Sequence, residues 1–228
     1  MGRQRDHLSI GSVNSIRLLC FALATSNCVL AAENRETFDQ STQLPLGWQS
    51  GITGQGRAKW EVIPEQSAPS KPNVLCQSGE ATFAWAAKMD AAIKDGFAEV
   101  KFKPVNGHED QAGGIIWRVK DANNYYIVRA NALEGNVVLY KTVEGNRSSL
   151  PVKGRMFGYG VDAKVPSGKW STLRVEFSGK LFIVYFNGAK LFEVEDETFK
   201  DAGGVGVWTK ADSVTLFDDF MFGANNER

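Results

Sequence analysis

Alternating acidic residues near the end of the chain have a spacing that could support catalysis. In the stretch Leu191–Glu197, Glu193, Glu195 and Glu197 are two residues apart from one another. On a β-strand such residues share one face, and their Cα atoms are separated by about twice the ~3.3 Å rise per residue. Two carboxyl groups about 5–5.5 Å apart can act as a nucleophile and an acid/base. The pattern is also typical of solvated charges where a strand runs into a loop, and the sequence favours that interpretation.

One histidine lies outside the first 31 residues, His108, in the polar run His108–Gln111. Together with Glu109 or Asp110 it could form an acid/base pair at the rim of a cleft. A single histidine cannot supply a zinc site with several histidine ligands, and no Gly-x-Ser-x-Gly motif indicates a nucleophilic serine. A polar loop is the favoured interpretation. The sequence therefore predicts no complete catalytic set and leaves open whether the protein is an enzyme.

Three aspartates could bring hard oxygen ligands together. Asp218 and Asp219 lie near the C-terminus, and Asp39 lies near the N-terminal end of the folded part. If the two chain ends meet, their carboxylates could hold Ca²⁺. An acidic pair on an edge strand is the favoured interpretation. The sequence thus predicts no cofactor, with Ca²⁺ as the alternative.

Polar and aromatic side chains are predicted to share one face of a β-meander at Gln111–Thr142. Alternation places Arg118 on the face opposite Trp117, and a register that buries Tyr126 places Arg129 beside Arg118. Such a face is suited to a polar ligand, and the alternative is a solvated face whose arginines pair with nearby acids. Core packing is the default role for a tryptophan. The predicted ligand-binding residues are Arg118, Tyr125, Arg129, Asn131, Trp208 and Lys210.

Short strands must position these residues. Ile115–Val119, Tyr125–Ala130 and Val137–Val143 are rich in β-branched and aromatic residues and predict three consecutive strands. Asn187-Gly188 predicts a tight hairpin, because both positions tolerate positive φ. About a dozen short strands, with turns every 8–12 residues and no long helix, predict an all-β sandwich or jelly roll.

Two segments are harder to assign. Thr82–Lys94 has both strand and helix periodicity, and we favour a strand. The glycine-rich stretch Gly51–Gly56 matches no phosphate-binding motif, and we interpret it as turns.

The termini and the charge limit the function further. The chain has 228 residues with 26 basic and 26 acidic side chains and no long basic run, which argues against nucleic-acid binding. Arg3, Arg5 and Arg17 precede the apolar run Leu18–Ala24 and small residues up to Ala31, as in a secretory signal. The apolar run is far shorter than the ~20 residues of a membrane span. We therefore predict a signal peptide at 1–31, one domain at 32–228, and a secreted or periplasmic protein, with an uncleaved anchor as the alternative.

Six motifs follow one another along the chain: Gly114–Arg118, Asn124–Arg129, Asn136–Lys141, Gly168–Val175, Phe186–Gly188 and Gly204–Trp208. This succession resembles the concanavalin A-like lectin/glucanase superfamily, with laminin G-like domains and the bacterial 3-keto-disaccharide hydrolase domain family the most similar groups. The resemblance covers roughly Phe38 to Gly223 and implies two antiparallel sheets, one convex and one concave. The Glu-x-Asp-x-Glu signature of glycoside hydrolase family 16 is incomplete, because Glu195 stands where its Asp would be.

The resemblance implies a function only in general terms. Members of the superfamily commonly bind carbohydrate on the concave sheet, and arginine, asparagine and aromatic side chains suit sugar hydroxyls and ring faces. An acidic sugar would add a bidentate partner for arginine. We expect an exported, carbohydrate-interacting domain that binds a glycan on its concave sheet. The alternatives are a glycoside hydrolase or 3-keto-disaccharide hydrolase-like enzyme that uses Glu or Asp, and a structural adhesion domain that binds protein.

Overall fold

The computed structural model describes residues 1–2, 33–40, 42–155 and 158–225. Within these ranges the chain forms strands and no helix, so no described helix is long and apolar enough to cross a membrane. Apart from Met1 and Gly2, the predicted signal segment lies outside the described residues, and its cleavage stays a prediction. In chain order the strands are β1 (Asn34–Glu36), β2 (Trp48–Arg57), β3 (Trp60–Pro64), β4 (Asn73–Gln77), β5 (Glu80–Ile93), β6 (Gly96–Asn106), β7 (Ala112–Asp121), β8 (Asn124–Asn131), β9 (Asn136–Val143), β10 (Asn146–Ser149), β11 (Val161–Asp162), β12 (Ser171–Ser178), β13 (Leu181–Phe186), β14 (Ala189–Glu195), β15 (Gly203–Ala211) and β16 (Val214–Ala224).

The strands form two antiparallel sheets that pack as a sandwich. The first sheet has the order β14-β13-β12-β6-β16-β4-β3, with β1 beside β16. The second has the order β10-β9-β8-β7-β15-β5-β2, with β11 beside β9. Neighbours in each sheet are often far apart in the sequence, as when β15 inserts between β7 and β5. The predicted all-β jelly-roll sandwich is confirmed.

The main core lies between the sheets and is built from alternate residues of each strand. Trp117 of β7 stacks on Tyr126 and Phe177 with ring centroids 5.4 and 5.9 Å apart, and it meets Phe182 edge-on at 5.3 Å. Trp117 pairs with Tyr126 across β7 and β8, which is the predicted register. Burial of these large rings favours the folded sandwich. Cys76, the one cysteine in the part of the chain that the structure describes, is a free, buried thiol.

The second sheet is strongly curved. The hydroxyl of Tyr125, on β8, lies 2.6 Å from Oγ1 of Thr53, on β2. Strands β7, β15 and β5 separate these two strands, so in a flat sheet they would be roughly 19 Å apart at ~4.8 Å per step. The sheet must therefore curl away from the core until side chains of β2 and β8 meet. We call the enclosed side the concave face.

The glycine-rich stretch Gly51–Gly56 is part of strand β2, so its interpretation as turns is wrong. Gly51 pairs with Trp85, and a Cβ on Gly51 would lie 2.4 Å from the Trp85 ring. Gly54 and Gly56 have φ of 86° and 106° where the register shifts between Thr53 and Gly56. These glycines serve close packing and a β-bulge within a strand.

Two other local predictions are confirmed. The ambiguous stretch Thr82–Lys94 is a strand, since β5 runs from Glu80 to Ile93. Asn187 and Gly188 form the hairpin turn between β13 and β14 with φ of 49° and 79°.

Candidate functional site

Aromatic side chains line the concave face, and we call them the concave cluster. Alternation explains the position of four of them, because each of these four has a direct chain neighbour in the main core: Ala86, Tyr126, Leu139 and Val207. Phe83 and Trp208 stack with ring centroids 5.2 Å apart. Ile116 and Ile127 pack beneath the rings. The members are Phe83 and Trp85 from β5, Tyr125 from β8, Tyr140 from β9 and Trp208 from β15.

Glycines beside the rings make this packing possible. Gly114 lies next to Trp208 across β7 and β15, where a Cβ would come within 2.7 Å of the Val128 carbonyl oxygen. A Cβ on Gly206 would lie 2.2 Å from the Ala86 carbonyl oxygen. Any larger residue at these places would force the strands or rings apart. The sequence patterns Gly114-Ile-Ile-Trp117 and Gly204-Val-Gly-Val-Trp208 therefore encode the shape of the concave face.

Arg147 reaches over the concave cluster from β10. Glu144 and Gly145 form the turn between β9 and β10 with φ of 50° and 80°, and Arg147 then pairs with Thr142. The guanidinium carbon lies 4.3 Å from the ring centroid of Tyr140, 4.5 Å from that of Phe83 and 5.6 Å from that of Trp208. We call these three rings the aromatic cage. Contacts of this kind contribute about 0.5–2 kcal/mol each, so the cage holds the cation without a hydrogen bond.

Sequence reasoning missed Arg147. The signal for this turn is Glu144-Gly145, a two-residue segment with glycine at a position that favours positive φ, between two stretches of alternating side chains. This pattern is typical of a short hairpin and would place a turn at residues 143–146. Alternation along that hairpin would then have placed Arg147 on the same face as Tyr140 and Thr142.

Five buried polar atoms on the concave face lack a hydrogen-bond partner within the part of the chain that the structure describes. A buried donor without a partner costs about 1–3 kcal/mol, so a group of them is a candidate binding position. Four of the five are N–H donors. The atoms are Nε1 of Trp85, Nε1 of Trp208, Nε of Arg129, Nη1 of Arg147 and Oγ1 of Thr142.

The hydroxyl of Tyr125 is the polar centre of the concave cluster. It hydrogen-bonds with Oγ1 of Thr53, which itself donates to the carbonyl oxygen of Ala122. Thr142 and Trp208 lie near the same hydroxyl without meeting hydrogen-bond geometry. Burial raises the pKa of Tyr125, so the hydroxyl stays protonated at neutral pH.

Arg129 and Asn131 lie on the concave side as predicted, but both are engaged within the protein. Arg129 forms a two-pronged ion pair with Glu134, with N–O distances of 2.6 and 3.0 Å, and donates to Asn136 at 2.7 Å. Asn131 donates to Asp110 at 2.6 Å and to Glu134 at 3.1 Å. Each has a fully buried side chain. Only Nε of Arg129 remains for a ligand.

Lys210 extends the same network at the end of β15. Its ammonium group forms an ion pair with Asp110, whose other oxygen accepts from Asn131. The side chain of Lys210 is only 25% exposed. Among the predicted ligand-binding residues, Tyr125 and Trp208 thus belong to the concave cluster. Arg129, Asn131 and Lys210 instead belong to a network of ion pairs and hydrogen bonds on the same side of the sheet.

The prediction that Arg118 lies on the ligand-binding face is wrong. Arg118 has a φ of 47°, and the register shifts after Trp117, so a β-bulge turns its side chain to the inner side of the sheet. The guanidinium donates to the carbonyl oxygens of Lys94, Phe199 and Gly179 and to the carboxylate of Asp95. It packs over Phe177 and Phe182, two rings of the main core. Arg118 thus connects the β5–β6 turn, the β12–β13 turn and the loop at Phe199 at one end of the sandwich.

The candidate catalytic residues do not meet. The backbone N–H groups of His108 and Glu109 donate to the carboxylate of Asp212, and both side chains are exposed. Glu195 lies on β14, in the first sheet. Its carboxylate oxygens form ion pairs with Nζ of Lys153 and Nζ of Lys180 at 2.8 and 2.9 Å. Hydrogen bonds from these two lysines lower the pKa of Glu195 to about 2. A carboxyl group that stays ionised at neutral pH cannot act as a general acid.

The three candidate calcium ligands are bound by protein donors. Asp218 accepts from the backbone and the hydroxyl of Ser70, and Asp219 pairs with Lys101 and Arg35. Asp39 accepts from the backbone N–H of Asn73. No group of three or more metal-ligating side chains occurs among the described residues. These aspartates fix the chain ends and the loop before β4 to the first sheet.

Comparisons with known proteins identify the fold. No family model and no curated protein matches the chain. The solved carbohydrate-binding module CBM66 from Bacillus subtilis is similar, with a TM-score of 0.60, 18% identity, and coverage of 76% of this chain and 93% of that one. A β-glucanase from Bacillus licheniformis has a TM-score of 0.52 and 11% identity, with 85% and 98% covered. The cellulose-induced protein Cip1 has a TM-score of 0.53 and 14% identity, with 79% and 94% covered. The chain thus has the concanavalin A-like jelly-roll fold that its motifs predict.

Proposed function

We propose that this protein binds a carbohydrate at the concave cluster. The observation that carries the proposal is the pair of tryptophans, Trp85 and Trp208, whose indole N–H groups are buried without a partner beside a set of aromatic rings. Aromatic faces pack against the apolar faces of sugar rings, and an indole N–H donates to a sugar oxygen. The fold supports the proposal, since similar structures include a carbohydrate-binding module and a β-glucanase.

The rim of the concave cluster provides the entrance. Tyr159 is 49% exposed, its ring meets that of Tyr140 edge-on at 5.9 Å, and the two hydroxyls are hydrogen-bonded. Arg147 covers Tyr140 from β10 and is only partly buried. Trp208 is fully buried, and Arg147 lies over its ring. A ligand that reaches Trp208 must therefore displace Arg147, whose side chain is held by ring packing and by no hydrogen bond to a described residue.

The test is glycan binding by variants that keep an aromatic ring at each position and remove the indole N–H. Purified protein is applied to a glycan array, and the sugars bound are titrated by calorimetry with Trp85→Phe and Trp208→Phe. Each variant should bind about 2- to 10-fold more weakly, since one net hydrogen bond contributes about 0.5–1.5 kcal/mol. The matched control is Trp60→Phe, because Trp60 also has a buried indole N–H without a partner but lies on β3 in the first sheet.

The control should bind as tightly as the unaltered protein. Failure to bind any glycan on the array, or equal affinity for all four proteins, would overturn the proposal. A panel of chromogenic glycosides measured on the same samples shows whether binding is accompanied by turnover.

A further inference from the structure

Arg147 differs from Arg118 and Arg129, the two arginines of the meander, in having no counter-ion. Arg118 is paired with Asp95, and Arg129 is paired with Glu134. The side chain of Arg147 makes no ion pair and no hydrogen bond with the residues that the structure describes, and its Nη1 atom is buried. A cation that is partly removed from water without an anion is unfavourable, and aromatic faces offset only part of that cost. An anion placed beside Arg147 would therefore be strongly stabilised.

The concave face on which Arg147 lies offers donors. The Trp208 ring centroid is 5.6 Å from the guanidinium carbon of Arg147, and Thr142 pairs with Arg147 across β9 and β10. The atoms without partners on this face are the indole N–H groups of Trp85 and Trp208, Nε of Arg129 and the hydroxyl of Thr142. Neutral sugar hydroxyls both donate and accept, whereas a carboxylate only accepts. A set made almost entirely of donors fits a carboxylate better than it fits a hydroxyl.

Nearby negative charges are already neutralised. Glu134 accepts two hydrogen bonds from Arg129, and Asp110 is bound by Lys210 and Asn131. These ion pairs leave Arg147 as the one uncompensated charge among the described residues that contact the aromatic cage. The rim of the concave cluster is therefore electropositive.

We propose that the carbohydrate bound at the concave cluster is acidic, and that Arg147 binds its carboxylate. The inference rests on the proposed function and names the class of sugar, a uronic acid or a glycan that contains one. The planar guanidinium can leave the aromatic cage and form a two-pronged hydrogen bond with the carboxylate. Its departure also uncovers Tyr140 and Trp208 for the sugar ring.

The experiment compares acidic sugars with their own methyl esters. Oligomers of galacturonate and of glucuronate are titrated against the protein, and so are the same oligomers after methyl esterification, which removes the charge and keeps the ring and the linkage. At least one acid should bind about 10- to 100-fold more tightly than its ester, as expected for a charge-assisted hydrogen bond. Raising the salt concentration should weaken binding of the acid and leave binding of the ester unchanged.

Variants connect this preference to one residue. Arg147→Ala should bind acid and ester equally, and Arg147→Lys should keep part of the preference, because a lysine supplies charge without the planar fork. Arg57→Ala is the matched control, since Arg57 is an exposed arginine on β2 outside the cage and its loss removes the same charge. The thermal midpoint shows whether each variant is folded, and if Arg147→Ala is not, the acid–ester pair and Arg147→Lys decide.

The possible failures are distinguishable. If glycans bind but acids and esters bind alike, or if Arg147→Ala keeps the preference for the acid, the acidic-sugar inference is overturned and the proposed function stands. If no sugar binds, charged or neutral, the proposed function is overturned as well.

Discussion

Arg118 shows how one backbone angle changes the role of a residue. Strict alternation places Arg118 with Arg129 on the ligand side, yet a φ of 47° turns it towards the core. There its guanidinium meets three carbonyl oxygens and one carboxylate, and burial lowers the pKa of the group without making it neutral at physiological pH. Four of its hydrogen bonds thus go to acceptors in turns and loops that follow or precede the strands. Arg118 therefore serves the fold.

Replacing Arg118 should destabilise the protein without a direct effect on ligand binding. Arg118→Ala removes four hydrogen bonds and the packing over Phe177 and Phe182, so we expect the free energy of unfolding to fall by about 2–4 kcal/mol. Asp95 is partly exposed and can regain water, which keeps the loss from being larger. Urea unfolding measures the change, with Arg155→Ala, at an exposed position, expected within about 0.5 kcal/mol of the unaltered protein. A loss below 1 kcal/mol for Arg118→Ala would contradict the buried role.

At the scale of elements, the sequence predicts where the strands lie better than it predicts which side of the sheet each side chain occupies. Runs of β-branched and aromatic residues give β7, β8 and β9 within a few residues, because those side chains fit a pleated, half-buried surface. Bulges are invisible to alternation, so the inward turn of Arg118 and the strand character of Gly51–Gly56 were missed. Ion pairs such as Arg129 with Glu134 depend on the conformation of a turn. The concave face was predicted, but which of its polar groups are free could be learned only from the structure.

The turn between β8 and β9 should make the protein sensitive to acid. Glu134, in this turn, accepts hydrogen bonds from Arg129, which lower its pKa below the ordinary value of 4.5. A folded-state pKa that lies below the unfolded one stabilises the protein above about pH 4.5, and the contribution is lost as the pH falls below that value. Glu134→Gln should reduce stability at pH 7 by about 1 kcal/mol, a modest amount because the side chain is a third exposed.

The measurement is urea unfolding at pH 7 and at pH 3. Glu134→Gln should lose less stability between the two pH values than the unaltered protein does. Glu109→Gln, at an exposed position without an ion pair among the described residues, is the control and should follow the unaltered protein. Identical pH dependence for Glu134→Gln and the unaltered protein would show that the ion pair is absent in solution.

At the scale of the whole molecule, the curvature of the second sheet creates the concave cluster. The strand order places β2 and β10 at opposite edges, and the curl brings both over the same aromatic rings. Thr53 of β2 meets Tyr125 and Ala122, and Arg147 of β10 meets Phe83 of β5. The closure thus joins residues that neither sequence distance nor strand order brings together. If the sheet opened, the donors of the concave cluster would be hydrated and their preference for a ligand would fall.

The contact between β2 and β8 can be measured with a double-mutant cycle on Thr53 and Tyr125. Thr53→Val, Tyr125→Phe and the double variant form a cycle in which the hydrogen bond between the hydroxyls is the shared term. We expect a coupling energy of about 0.5–1.5 kcal/mol in the free energy of unfolding, since both groups are buried. A control cycle uses Tyr185→Phe and Glu176→Gln, whose 3.1 Å contact is only partly buried and should couple by about 0.5 kcal/mol or less. A coupling near zero for Thr53 and Tyr125 would mean that β2 and the start of β8 are apart in solution, and the concave cluster would then be an open groove in which Tyr125 is free for the ligand.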